Sequence, residues 1–288
     1  MLQLRCSLQR SYFYGSVRLM HRQILIIDDH DDLATSLEEV FASEGHVVTI
    51  VGNRADALAI ENIESYDLVV TDLDVLQNEQ KPDAKGNIPV CLPETIVSNA
   101  EDHVKAFKIC AANFRRSEFN EDELRKMVAT ILDFKIRYVD KAEYVQELHE
   151  HIQFELPSAI SLMHIVLEYL MKRVAKLGVI NPEQSNLFVA LDEAFVNAVK
   201  HGNKFDAQKL VRISAIVSKQ EARFTIEDEG EGFDVNSIPD PLDPANLFKT
   251  SGRGVLFIYN IMDEVKYNDR GNRLTMVKKS EKPSDVIA

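Results

Sequence analysis

"LDEAFVNAVKHGNK" (residues 191–204) sets Glu193, Asn197 and His201 four residues apart. On an α-helix such positions lie nearly above one another, so a carboxylate, an amide and an imidazole share one face. Leu191, Ala194, Phe195 and Ala198 fall on a mostly apolar opposite side, which supplies a core face. Such a helix floors a polar cavity while it packs inward, and its neighbours in sequence indicate what the cavity holds.

Two glycine-bearing segments downstream point to a nucleotide. "DEGEGFD" (228–234) follows a strand-like run and "TSGRGVLF" (250–257) opens a helix-like one, with a lid-like "PDPLDPANLFK" (239–249) between them. Glycine lets the backbone approach a ligand closely, and amides at a helix start donate to phosphate. Gly252 and Gly254, with Arg253 between them, are therefore expected to cradle a polyphosphate. Asp228, at a strand end beside Gly230 and Gly232, is a good acceptor for an exocyclic amino group such as that of adenine. Mg²⁺ prefers phosphate oxygens and few, hard protein ligands, and Asn197 offers an oxygen without adding negative charge. Glu193, one turn away, is placed to take a proton from an attacking hydroxyl. Either glycine motif alone is a weak signal; their order behind the Glu/Asn helix is a strong one.

The elements around these motifs follow from their patterns. "IQFELP" (152–157) reads as a strand and is followed by a helix rich in Ile160, Leu162, Val166, Leu167 and Leu170. Two hairpins come later: "LVRISAIV" with "ARFTIED" across Ser218 to Glu221, and "VKYN" with "RLTMVKK" across Asp269 to Asn272. Helices followed by antiparallel hairpins predict an α+β two-layer sandwich.

"ALDEAFVNAVKHGNK", "EDEGEGFD", "DPANLF" and "SGRGVLFIYNIMDEVKY" resemble the N-box, first glycine box, lid and second glycine box of the anti-sigma-factor serine kinases, a branch of the GHKL ATPases. With the opening "FELPSAISL" and the closing "GNRLTMVKK", the resemblance covers about 150–280. It implies a Bergerat-type ATP fold, usually dimeric, with ATP and Mg²⁺ as cofactors. Asn197 would bind Mg²⁺, Glu193 would be the base, Asp228 would bind adenine, and Gly230, Gly232, Gly252, Arg253 and Gly254 would shape the pocket. Such kinases phosphorylate a serine or threonine on an anti-anti-sigma protein of the STAS fold and, when free, sequester a sigma factor. His201 reads as a partly buried helix-end histidine with a structural role.

The first half alternates strand and helix. "QILIID" (23–28) is a continuous apolar run ending in acids, the pattern of a strand buried on both faces. Leu33, Leu37, Val40 and Phe41 then give a helical stripe that Gly45 stops. "HVVTIVG" (46–52), a short helix at 54–63 and "YDLVVTD" (66–72) continue the pattern, which predicts a doubly wound parallel α/β sheet. Beyond Pro82, Gly86, Pro89 and Pro93, a strand "ETIVSNA" (94–100), a helix at 101–111, a strand at 112–116 and a long helix from Glu121 are expected. Along that last helix Leu124, Val128, Ile131, Lys135, Tyr138, Ala142 and Val145 form a loose heptad run. It suits either a dimerising connector or two ordinary helices with a break near Asp140.

Asp28, Asp29 and Asp72 end strands and meet at one rim of such a sheet, where three carboxylates hold Mg²⁺ and one attacks a phosphodonor, unless acids merely terminate buried strands. These residues resemble the response-regulator receiver domain over about 22–139. The resemblance makes Asp28 and Asp29 the acid pair, Asp72 the phosphoacceptor served by an upstream histidine kinase, and Ser98 the switch hydroxyl. The sequence departs from it at Ser117, where receivers carry lysine, and at Glu118, where proline is usual. Arg115 or Arg116 is the nearest substitute cation; the other reading is a ligand-independent pseudo-receiver.

The 288 residues therefore divide into an extension (1–20), a receiver-like domain (21–139), a helical linker (140–150), the ATP-binding kinase domain (151–280) and a tail (281–288). Residues 1–20 read as an over-extended start with Met20 as initiator, or as an Arg/Ser-rich transit peptide. A net charge of −13 speaks against a general nucleic-acid binder, and no apolar run reaches the ~18 residues of a membrane span. Cys6, Cys91 and Cys110 have no paired spacing, which fits a reducing cytoplasm. The combined expectation is a receiver-controlled serine/threonine kinase. Its rivals are a non-catalytic ATP-binding partner-switch protein and a hybrid histidine kinase, for which His149, His151 and His164 are candidates by type only.

Overall fold

The computed structural model describes residues 21–75, 92, 104–114, 119–142, 149–235 and 253–280. Ser98, Arg115, Arg116, Ser117, Glu118, Gly252, the stretches at 94–100 and 239–249, and residues 1–20 and 281–288 lie outside them.

The strands β1 (Gln23–Asp28), β2 (Val47–Val51) and β3 (Leu68–Val75) pair in parallel in the order β2-β1-β3, as the apolar runs predict. Helix α1 (Ala34–Ser43) buries Leu37 and Phe41 on one face of this sheet, and the short α2 (Arg54–Leu58) buries Ala57 on the other. Helices on both faces are the doubly wound arrangement.

The next element corrects the expectation. Residues placed in a helix at 101–111 form instead a strand, β4 (Val104–Cys110), antiparallel to β3, so the sheet is mixed. Val104, Ala106, Phe107, Ile109 and Cys110 are all buried, and a short apolar run covered on both faces has no period that separates strand from helix. Helix α3 (Glu121–Phe134), capped by Asn120 accepting from the Glu123 amide at 3.2 Å, carries the chain back across the sheet. It widens to a π-helical turn at Lys135–Val139 and ends in one further turn, α4 (Asp140–Ala142).

Strand β5 (His149–Pro157) then pairs with β4 in parallel. The unit β4–α3–β5 is therefore a crossover of the βαβ kind, and it spans the boundary at which a linker was expected. Leu124, Val128 and Ile131 are fully buried in the core that α3 shares with helix α5 (Ile160–Lys176), while Tyr138 is exposed. The part of the heptad run from Leu124 to Ile131 is thus packed inside the chain.

From β5 onward the pairing is antiparallel, as predicted: β6 (Leu210–Val217), β7 (Glu221–Asp228), β9 (Arg273–Lys279) and β8 (Glu264–Tyr267). Among the described residues the result is one nine-stranded sheet, β2-β1-β3-β4-β5-β6-β7-β9-β8. Helices α5, α6 (Leu187–Val196) and α7 (Arg253–Ile261) cover the same face as α1 and α3, and a single core runs beneath all five.

Candidate nucleotide site

Helix α6 buries Ala190, Leu191, Ala194 and Phe195, and its continuation from Asn197 to Gly202 is π-helical. A π-turn takes one residue more than an α-turn and occurs mostly at functional sites. Glu193, Asn197 and His201 all line one cavity of about 610 Å³, so the polar stripe seen in the sequence does face a common space. His201 is exposed there, which corrects its assignment as a partly buried histidine. Lys200, between them in sequence, also lines the cavity.

Asp228 ends β7 on the opposite wall. Its Oδ1 accepts from the Gly230 amide at 2.8 Å, and burial pushes its pKa up against the lowering effect of that hydrogen bond. Two asparagines that the sequence reading did not single out as site residues hold this turn. Asn203, fully buried, accepts from the Glu229 amide at 2.9 Å and donates to the Leu210 carbonyl at 2.8 Å. Asn272 donates to the Asp228 carbonyl at 2.8 Å and accepts from Asn268 Nδ2 at 3.0 Å. Asn203 was visible only as the residue after His-Gly and Asn272 only as a turn former; nothing in one dimension shows that both meet the turn that Asp228 and Glu229 form.

Gly232, Phe233, Tyr267 and Gly254 complete the walls. The Phe233 and Tyr267 rings meet edge to face with centroids 5.3 Å apart, and burial raises the Tyr267 hydroxyl to about 12, so it stays a donor at neutral pH. A Cβ on Gly254 would overlap the Glu193 carboxylate, so a side chain there would force that carboxylate to turn aside. Arg253 opens that helix.

The cavity volume suits a nucleotide-sized ligand. Its donor set fits a phosphate-bound Mg²⁺, since one amide oxygen, from Asn197, and one carboxylate, from Glu193, face the same space. When bound, the metal would supply charge neutralisation for the phosphates. The chain's own residues would orient such a ligand, with the Glu193 carboxylate available as a proton acceptor.

The three acids of the first half make different contacts, although Asp28 and Asp72 are in register on neighbouring strands. Asp28 accepts from the amides of His30, Leu33 and Ala34 at 3.1, 2.7 and 2.9 Å, which caps the approach to α1. Asp29 accepts from the Asp74 amide at 2.8 Å and meets His30 Nδ1 at 2.6 Å. Among the described residues Asp28, Asp29 and His30 can bring ligand atoms within 4.8 Å of one another, and Asp72 is not in that group. Asp72 instead accepts from Lys135 Nζ at 2.8 Å, both side chains being buried. The cation absent at position 117 thus has a counterpart from α3's end, 63 residues away in sequence, where only tertiary packing could reveal it.

The other histidines are dispersed. His151 is buried with Nε2 2.9 Å from Ser214 Oγ, its pKa lowered to about 4 by burial, and His164 is exposed 3.5 Å from Asp192. Cys110 is a buried thiol whose Sγ donates to Glu155 Oε2 at 3.8 Å. Among the described residues no helix is long and apolar enough to cross a membrane.

With this geometry in place, comparison with known proteins can be set beside it: residues 156–278 match the family described as Histidine kinase-like ATPase domain. Similar curated proteins include serine-protein kinases named RsbW. The one from Staphylococcus epidermidis is 25% identical over 142 residues, covering 46% of this chain and 89% of its own. The one from Listeria monocytogenes is 24% identical over 138 residues, covering 46% and 88%. Each of these two likenesses covers less than half of this chain.

Proposed function

We propose that the protein is a serine/threonine kinase of the anti-sigma type that uses Mg²⁺-ATP to phosphorylate a STAS-domain anti-anti-sigma partner and, when free, sequesters a sigma factor. The observation that carries this is the convergence of Glu193 and Asn197 with Asp228 and Gly254 on one cavity. Asp228 would recognise the base, Asn197 would hold the metal, and Glu193 would take the proton from the partner's hydroxyl. A homodimer in the cytoplasm is part of the same reading.

The first half is proposed as a regulatory element of the pseudo-receiver kind. What supports this is the commitment of Asp28 and Asp29 to backbone amides and of Asp72 to Lys135. Incubation with acetyl phosphate and Mg²⁺ should add no mass; an Asp72-dependent increase would instead support acceptance from a histidine kinase.

The deciding experiment supplies labelled ATP, Mg²⁺ and STAS-domain proteins to wild type and Glu193→Ala. Acid-stable label on a partner serine or threonine, lost in the variant, is the expected result. Nucleotide binding without transfer would leave a non-catalytic partner switch. Acid-labile label on the protein's own histidine would point to a hybrid histidine kinase.

A further inference from the structure

Five buried charges run in line from the first half into the ATPase half. Lys135 Nζ donates to Asp72 Oδ2 at 2.8 Å and lies 3.2 Å from Asp140 Oδ1. Arg173 Nη1 lies 3.1 Å from Asp140 Oδ2, and Arg173 Nε donates to Glu150 Oε2 at 2.8 Å. None of the five residues is more than 4% exposed. The signs alternate along the line, and three acids against two bases leave one negative charge in excess.

The position of each member matters. Asp72 is on β3, in register with Asp28 on β1, and its Oδ1 is buried without a hydrogen-bond partner. Lys135 occupies the π-helical turn, with Nζ also 4.7 Å from the Phe107 ring centroid. Glu150 is on β5 and Arg173 on α5, the helix that packs against α6 and so against the backbone carrying Glu193 and Asn197. A charge taken out of water is offset only by close partners, so removing one member leaves its neighbour to turn toward those that remain.

We propose that this chain makes the charge at Asp72 felt at the nucleotide site. With Asp72 ionised, Lys135 is shared between β3 and Asp140. With Asp72 neutralised, Lys135 turns wholly to Asp140, competes there with Arg173, and shifts α5 and with it α6. The inference rests on the nucleotide-site reading only for its functional consequence; the shift itself is a property of the fold.

The test uses the full chain as wild type, Asp72→Asn, Asp140→Asn, the double variant, and Asp72→Glu, which keeps the charge. Hydrogen exchange of α5 and α6 amides is followed without ligand, and the affinity for a fluorescent ADP analogue is measured with Mg²⁺. Asp72→Asn should alter protection in both helices and change the affinity about two- to thirtyfold, the span of couplings carried through packed networks. Asp72→Glu should stay near wild type, and Asp72→Asn should have little further effect when added to Asp140→Asn. Exchange changes confined to the first half, or equal effects of Asp72→Asn in both backgrounds, overturn the proposal. If wild type binds no nucleotide, the site reading fails, and the exchange experiment still decides the coupling.

Discussion

Gly202 lies against Asp228 so closely that a Cβ on the glycine would overlap the aspartate carboxylate. The end of the π-helical segment and the end of β7 can therefore meet only because position 202 has no side chain. Gly202→Ala must displace Asp228 from the cavity wall, and the expected loss of nucleotide affinity is about tenfold or more, equivalent to roughly 1.4 kcal/mol. Titration with a fluorescent nucleotide measures it; an unchanged dissociation constant would remove Asp228 from the binding surface.

Asn203 ties the same corner together through the Glu229 amide and the Leu210 carbonyl. Asn203→Ala leaves a buried donor and a buried acceptor unpaired, which should cost about 1–3 kcal/mol of stability. Urea unfolding gives the magnitude. The accompanying loss of nucleotide affinity should exceed that of a variant at an exposed residue remote from the cavity, such as Tyr138→Ala.

His151 predicts an acid-side weakness. Its pKa is lowered to about 4 by burial, against an ordinary value of 6.5, so the native state holds it neutral where the unfolded chain is already protonated. The stability associated with the neutral ring is complete above pH 6.5 and is lost as the pH falls through about 4. The total is on the order of 3 kcal/mol. Denaturant midpoints measured across this window should fall in wild type and flatten in His151→Gln; parallel curves for the two proteins would rule the histidine out as the cause.

Arg22 joins β1's entry to α3. Its Nη2 and Nε donate to Glu123 at 2.7 and 3.1 Å, and its guanidinium lies 3.9 Å from the Phe114 ring centroid. A lysine cannot reproduce two parallel hydrogen bonds or the flat stacking surface. Arg22→Lys should lower stability by about 1–3 kcal/mol, read as a drop in thermal midpoint.

The strands and helices of the second half were legible because their patterns are local. "LVRISAIV" and "ARFTIED" alternate inward and outward residues and are joined by a short turn, so β6 and β7 follow from composition and spacing. The segment at 104–110 was not legible, since a run buried on both faces shows no alternation, and its partner β5 lies beyond a whole helix. Lys135 illustrates the same limit: its place in a heptad-like series suggested a surface seam, whereas its ammonium group ends beside Asp72.

The sequence by itself determined the polar-striped helix α6, the glycine turn after β7, the βα alternation at the start and the acids at strand ends, because each depends on residues close in the chain. Only the tertiary structure decided that the two halves share one sheet, that Asn203 and Asn272 grip the Asp228 turn, and that Asp72 pairs with Lys135. Those choices depend on which buried polar groups find partners across long sequence separations, and desolvation penalises every arrangement that leaves them unpaired.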